Sequence, residues 1–454
     1  MSGEVVGPDR TCVIGAGPSG LAAVKALADA GLQFDCFEKS DRVGGNWVFG
    51  NRNGQSRIYR SLHINNSRQR MAYADFPMPA DYPDFPHHAL MARYFEAYAA
   101  AFGLHRRITF GTAVMRAERE APGRWQVTLA DGTIRRYRAL VVANGHHWDP
   151  RWPEPPVPGR FAGKIIHAHD YVSPDEPFDF TGKRVVVVGM GNSAMDIACE
   201  LSRPGIAERL YLSARRGAWV IPNYVLGRPM DRLGVGAAWL PWRVQSLMAE
   251  LLIRLVVGAP WRFGLPRPDH PPLAAHPTVS QGLPVRLGRG DVVPKPTIRE
   301  LQGRSVLFAD GTTVEADVLI YCTGYRVSFP FFAPDFLAAP GNELPLWRRL
   351  LRPGEDDLFF VGLLQPLGAV MPVAEAQAKL TAAFLAGRYR LPTAQRMRQE
   401  LERDEAARQR RYVTSARHTM QVDFDRYLAD LARERRAGER RAGLRLRPGA
   451  AAPS

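Results

Sequence analysis

The sequence predicts an α/β protein built on two Rossmann-like dinucleotide-binding domains. Three observations carry this. The run Gly15-Ala16-Gly17-Pro18-Ser19-Gly20 sits between a short apolar stretch and a helical one. A second fingerprint, Gly189-Met190-Gly191-Asn192-Ser193-Ala194, follows the apolar run 185–188. The two units also end on unlike residues, an acid at Glu38 and a pair of arginines at Arg215-Arg216. At 454 residues the chain is too long for one ordinary core, so several domains are expected.

The first unit reads as a strand over 11–14, the glycine turn, a helix over 21–30 closed by Gly31, and a strand over 34–37 ending at Glu38. Gly15 permits the tight turn, Gly17 lets backbone approach a pyrophosphate, and Gly20 lets helix and strand pack closely. Amide groups at the helix N-terminus, near Pro18 and Ser19, favour the anion. Glu38 is placed to accept from ribose hydroxyls and repels a 2′-phosphate, so FAD or NAD is expected here rather than NADP. Lys39 and the turn Gly44-Gly45-Asn46-Trp47 follow. After them come a segment containing Asn65, Asn66 and Ser67, an amphipathic helix over 88–102, strands over 108–129 with a turn at Asp131-Gly132, and a strand over 140–143 ending at Asn144-Gly145. Asn-Asn by itself is most often a turn. His146 and His147 are adjacent, point different ways and lack a nearby acid, so they read as structural and no metal site is expected.

In the second unit alanine replaces the third glycine, which the pattern tolerates. By the spacing from Gly15 to Glu38, its tip falls at Leu212 or Ser213, where no acid stands; Ser213-Ala214-Arg215-Arg216 follows instead. A guanidinium fork matches a 2′-phosphate. The contrast points to FAD in the first site and NADPH in the second, with Gly189, Gly191, Asn192, Ser193, Ser213, Arg215 and Arg216 as the NADPH set. Residues 223–292 read as an insertion in this domain, with an apolar-faced helix over 239–257, which serves either as a lid or as packing; a membrane-surface role is the lesser option.

Between the two fingerprints lies Phe161-Ala162-Gly163-Lys164-Ile165-Ile166-His167-Ala168-His169-Asp170-Tyr171. The pattern F-x-G-x-x-x-H-x-x-x-Y resembles the signature of flavin-containing monooxygenases. So do Gly44-Gly45-Asn46-Trp47, the segment 61–79 with Asn65, Ser67, Met71 and Asp75-Phe76-Pro77, the run Arg215-Arg216-Gly217-Ala218-Trp219, Gln377, and Gln421-Val422-Asp423-Phe424…Tyr427. Arg68 stands where the family usually has lysine. The resemblance covers roughly residues 10–435. It implies that the NADPH domain is inserted into the FAD domain, with crossings at Asn144-Gly145 and Thr323-Gly324. The expected layout is 1–160 and 327–437 for the FAD domain, 161–326 for the NADPH domain and 438–454 for a disordered basic tail. It further implies that Gly45, Asn46, Trp47, Ser67 and Gln377 join Gly15, Gly17, Pro18, Ser19, Gly20, Glu38 and Lys39 around FAD. Asn65 falls beside the flavin's reactive edge. Phe161, Gly163, His167 and Tyr171 act as a hinge or positioning element.

The implied activity is an NADPH- and O2-dependent monooxygenase in which a flavin C4a-hydroperoxide oxygenates a soft nucleophile, an amine nitrogen or a sulfide sulfur. The cofactor carries the reactive chemistry, so no triad, carboxylate pair or metal cluster is required. Two alternatives remain. One is a Baeyer–Villiger oxygenase acting on ketones, whose members usually carry tryptophan where Tyr171 stands. The other is a regulatory protein that binds nucleotides without turnover. The partners expected are a small-molecule substrate and O2. The net charge of +15 reads as a basic surface and tail rather than a nucleic-acid site, and oligomeric state is left open. The four cysteines form no Cys-x-x-Cys pair and read as reduced, buried thiols. The polar N-terminus and the lack of a charge-free apolar span point to a cytoplasmic enzyme.

Overall fold

The computed structural model describes residues 9–56, 58–233, 240–413 and 419–443. Its framework is two five-stranded parallel sheets. The first runs Leu358–Phe360, Ala139–Val142, Thr11–Ile14, Phe34–Phe37 and Ile108–Thr109 across the sheet. The second runs Lys164–His167, Val318–Tyr321, Arg184–Val188, Arg209–Ser213 and Val292–Lys295. Strands covered on both faces read as unbroken apolar runs rather than alternating ones. All four residues of Thr11–Ile14 and of Val318–Tyr321 are accordingly buried. Every strand of the second sheet lies between Ala139–Val142 and Leu358–Phe360 of the first, so the second unit is nested in the first.

The two crossings run side by side. Asp149–Pro150 pairs antiparallel with Tyr325–Arg326. Arg151 N–H donates to Gly324 O at 2.9 Å, and Asn144 Nδ2 donates to Ser328 O at 3.0 Å. The strand Gly159–Phe161 pairs with Ile298–Gly303 of the second unit, so that unit begins before residue 161, two residues earlier than the sequence suggests.

A second tie joins the units through the helix Asn192–Leu201. Asp196 and Glu200 lie one turn apart on the same helix face. Tyr59, from the first unit, donates its hydroxyl to Asp196, and Tyr171 donates to Glu200 at 2.8 Å. The two rings are 6.2 Å apart. Burial lifts the Asp196 carboxyl to about 6; the hydrogen bond from Tyr59 works against this and the charge of Glu200 adds to it.

One expectation near the C-terminus is corrected. The charged stretch there forms two helices, Ala394–Arg411 and Phe424–Arg441, with the short strand Gln421–Asp423 leading into the second. The second helix continues past Gly438, where a disordered tail was expected to start. Gly438 is buried because the ring of Tyr389 lies against it, and an added Cβ would sit 1.9 Å from that ring. Tyr389 in turn donates to Glu434 at 2.8 Å. Residues 444–454 of the expected tail lie outside the described residues. The apolar-faced helix of the insertion spans Trp242–Val256, but its long side chains face outward: Leu247, Met248, Leu251 and Leu255 are exposed, while Ser246 and Ile253 are buried.

Two outcomes follow from these contacts. Gly438→Ala drives a methyl into a buried ring and is expected to lower unfolding free energy by about 1–3 kcal/mol, read from the urea midpoint. Asp196 keeps its proton to a higher pH folded than unfolded, so its share of stability falls as pH rises from about 4 to about 6. Asp196→Asn is expected to flatten the decline of Tm over that window, and an unchanged profile would show that Asp196 does not titrate there.

Candidate functional site: two dinucleotide cradles

The first cradle is backbone against backbone. Gly15 has φ +100°, its N–H donates to Phe37 O at 2.8 Å, and an added Cβ would lie 2.8 Å from Ala143 O. A Cβ on Gly20 would lie 1.9 Å from Gly15 O. The turn at Gly44-Gly45 closes directly on the loop: Gly44 N–H donates to Ala16 O at 3.1 Å, and a Cβ on Gly45 would reach Gly17 Cα at 2.9 Å. The helix Pro18–Asp29 starts with no side-chain cap and no acid in its first turn, leaving its leading N–H groups to an anion. Glu38 ends its strand buried and accepts from Ala16 N–H at 2.6 Å and from the N–H and hydroxyl of Ser40 at 2.8 Å each. A carboxylate offers about four acceptor sites, so one stays open for a ribose hydroxyl. Lys39 is exposed and turned away, while Asn46 and Trp47 form the half-buried rim.

Ser19 and Gln377 enter from the far side. A Cβ on Gly362 would strike Ser19 Oγ, and Gly362 N–H donates to Gln377 Oε1 at 2.9 Å. Gln377 Nε2 donates to Arg349 O at 3.1 Å and to Tyr427 OH at 2.8 Å. Its amide is fully engaged within the protein and wholly buried, so it fixes the Gly362 turn rather than presenting itself at a ligand surface.

The segment bearing Asn65 is pinned over this cradle: Tyr73 OH donates to Pro18 O at 2.6 Å, and Tyr94 OH holds Phe76 O at 2.5 Å. Asn65 and Asn66 are both half-buried, and neither amide has a hydrogen-bond partner among the described residues. Ser67 is fully buried with its Oγ unpartnered, an arrangement that suits a bound group supplying the missing bond.

The second cradle repeats the first with different trimmings. Gly189 has φ +138°, donates to Ser213 O at 2.9 Å and leaves no room for a Cβ, with Cys322 O only 2.7 Å away. Gly191 starts the helix Asn192–Leu201, again with no side-chain cap and no acid in its first turn, and Ser193 lies half-buried in that turn. Asn192 Oδ1 accepts from Val279 N–H at 2.9 Å, and Thr278 Oγ1 donates to Met190 O at 2.6 Å, so the insertion covers this loop. Ser213 Oγ donates to Pro296 O at 2.8 Å and the residue is buried. The two arginines differ. Arg216 grips Asp269 through Nε at 3.0 Å and Nη2 at 2.7 Å. Asp269 is drawn down to about 2, first by His270 and then by Arg216. Arg215 is exposed and has no ion-pair partner among the described residues.

The signature residues lie along the strand Lys164–His167 and beside the helix Asn192–Leu201. A Cβ on Gly163 would lie 2.3 Å from Asp317 O, and Phe161 packs against that glycine. His167 is fully buried; its Nδ1 accepts from His169 N–H at 3.1 Å, and burial pulls its pKa to about 4, which keeps the ring neutral. Tyr171 is buried on Glu200. Tyr59, Asp196 and Glu200 were not identified from the sequence; the four-residue spacing of two acids just after the second fingerprint was the available signal. Nothing local marks Asp231 of the insertion, which reaches Ser67 N–H at 2.6 Å.

The geometry agrees with comparisons against known proteins. A family described as flavin-binding monooxygenase-like matches residues 8–439. The chain is 35% identical to flavin-containing monooxygenase 5 of Rattus norvegicus over 450 residues, covering 93% of this chain and 82% of that protein. It is 34% identical to dimethylaniline monooxygenase 2 (N-oxide-forming) of Macaca mulatta over 451 residues, covering 94% and 82%. Among solved structures, S-allyl-L-cysteine S-oxygenase from Allium sativum superposes with a TM-score of 0.70 at 25% identity, over 96% of this chain and 92% of that one. The open form of cyclohexanone monooxygenase gives 0.69 at 19% identity, over 95% and 98%, a likeness of fold. On the match along 8–439 and relatives a third identical over nine-tenths of its length, the chain belongs to the flavin-binding monooxygenase-like family.

Proposed function

We propose that this protein is an FAD- and NADPH-dependent monooxygenase that oxygenates a soft nucleophile, an amine nitrogen or a sulfide sulfur. The observation that carries the reading is the pair of unlike cradles in one nested framework, one tipped by a buried Glu38 and the other by a free Arg215. Relatives named for N-oxide formation and for S-oxygenation support the choice of heteroatom. When bound, FAD would supply the redox chemistry that links NADPH oxidation to O2, with one oxygen atom going to the substrate and the other to water.

The protein's part is binding, orientation and exclusion of water. The uncapped helix start at Gly17 and Pro18 receives the FAD pyrophosphate, and Glu38 accepts from its ribose. The helix start at Gly191 and Asn192 receives that of NADPH. Arg215 meets the 2′-phosphate, with Arg216 held back by Asp269. Asn65 offers a donor and an acceptor at the reacting edge. Tyr171, 1% exposed and bonded to Glu200 inside the second unit, is packed away from any open surface, so it does not choose between heteroatom and ketone by contact. Four free cysteines support an enzyme of a reducing compartment, which we take to be the cytoplasm.

The test is to reduce the holoenzyme anaerobically with NADPH, admit O2, and analyse products from tertiary amines, sulfides and ketones. Esters from ketones, with amines and sulfides untouched, would overturn the heteroatom reading. Arg215→Ala is expected to raise the KM for NADPH about tenfold or more while leaving NADH nearly unaffected, at about 1.5–3 kcal/mol for a charged hydrogen bond. Arg216→Ala should do less, because that side chain is already paired. Asn65→Ser is expected to keep FAD and NADPH-driven reduction but to release H2O2 in place of product. Asn65→Asp should be worse, since a carboxylate repels developing negative charge. The product-to-NADPH ratio, compared with the same changes at Asn66, decides which asparagine acts.

A further inference from the structure

The insertion touches the first unit at two points, one of them in the Asn65 segment. Its hairpin pairs Tyr224–Val225 with Arg228–Pro229 and lays Tyr224 edge-on against Phe85, 5.2 Å between ring centres. Tyr224 OH also donates to Asp84 Oδ2 at 3.2 Å. The chain then turns through Met230–Arg232, which brings Asp231 Oδ2 to 2.6 Å from Ser67 N–H. The other oxygen, Asp231 Oδ1, is buried from solvent and has no partner, and neither has Ser67 Oγ. No arginine, lysine or histidine among the described residues forms an ion pair with Asp231. Asn65, two residues from Ser67, has an unpartnered amide as well. Buried polar atoms are nearly always satisfied, and a carboxylate oxygen left over inside a protein is costly unless a cation meets it. Two unmet buried atoms, Ser67 Oγ and Asp231 Oδ1, lie where the insertion meets the first unit, two residues along the chain from the half-buried Asn65.

We propose that Asp231 is a specificity-determining carboxylate of the oxygenation site, taking an ammonium group that the substrate carries beside its soft nucleophile. This rests on the reading of the Asn65 segment as the wall of that site. Oδ2 is held by Ser67 N–H, which fixes the carboxylate, and Oδ1 is the free acceptor. The favoured substrates are aminoalkyl sulfides and diamines, in which the cationic end is bound and the sulfur or neutral nitrogen reacts. A neutral substrate of the same shape leaves Oδ1 unmet and binds more weakly.

The experiment compares two sulfides of equal size in the holoenzyme at pH 7, 2-(methylthio)ethylamine and methyl propyl sulfide, by sulfoxide formation. The wild type is expected to favour the ammonium compound about tenfold or more in kcat/KM, mainly through KM. Asp231→Asn keeps an acceptor for Ser67 N–H and is expected to bring the two compounds to within about threefold of each other. Arg232→Ala, at the exposed neighbour, serves as the control and is expected to retain the preference. Equal use of both sulfides by the wild type overturns the proposal, as does a preference that survives Asp231→Asn. Slower NADPH-driven flavin reduction in Asp231→Asn with the preference intact assigns the carboxylate to the nicotinamide and also overturns it. If neither sulfide is oxygenated, this inference is overturned; if tertiary amines are untouched as well, the proposed function falls with it.

Discussion

Everything covalent that joins the two units passes through one narrow place, where Asp149–Pro150 and Tyr325–Arg326 pair antiparallel. Two chain segments held by a ladder, rather than one flexible linker, restrict how the units rotate about each other. The tie at Tyr59–Asp196 then fixes the angle from a second point. A reaction that passes a hydride between two bound cofactors depends on their separation to within a fraction of an ångström. The recurrent signature from Phe161 to Tyr171 is therefore read best as part of this junction: a glycine that admits Asp317 O, a neutral buried histidine and a tyrosine anchored to the second helix.

The backbone cradles were legible in the sequence because their chemistry is local. Glycine at a left-handed turn, glycine where two backbones touch, and an acid at a strand end are dictated within some two dozen residues of chain. The same reasoning gave the contrast between Glu38 and the arginine pair. It did not separate Arg215 from Arg216, because the partner that occupies Arg216 is Asp269, far along the chain in a part without readable periodicity. It assigned Ser213 and Gln377 to cofactors although their polar atoms are engaged inside the protein, since residue type shows hydrogen-bonding capacity but not which neighbour uses it. Asp231 was invisible for the same reason: its meaning comes from Ser67, in the other unit.

The insertion emerges as more than packing. It covers the second glycine loop through Thr278 and Val279, holds Arg216 through Asp269, and reaches the first unit through Tyr224 and Asp231. One segment thus touches the second glycine loop, Arg216 and the Ser67 backbone of the first unit.

The nested connectivity also sets an order in time. The second sheet is drawn from a single continuous stretch, and it can close once Val318–Tyr321 has left the ribosome. The first sheet waits, because Leu358–Phe360 must arrive to pair with Ala139–Val142, and the Gly362 turn that seats Ser19 comes later still. Contacts so distant along the chain carry the larger entropic barrier. During synthesis the nicotinamide half can stand while the flavin half is still open at its edge, so FAD capture belongs to the closing moments of folding.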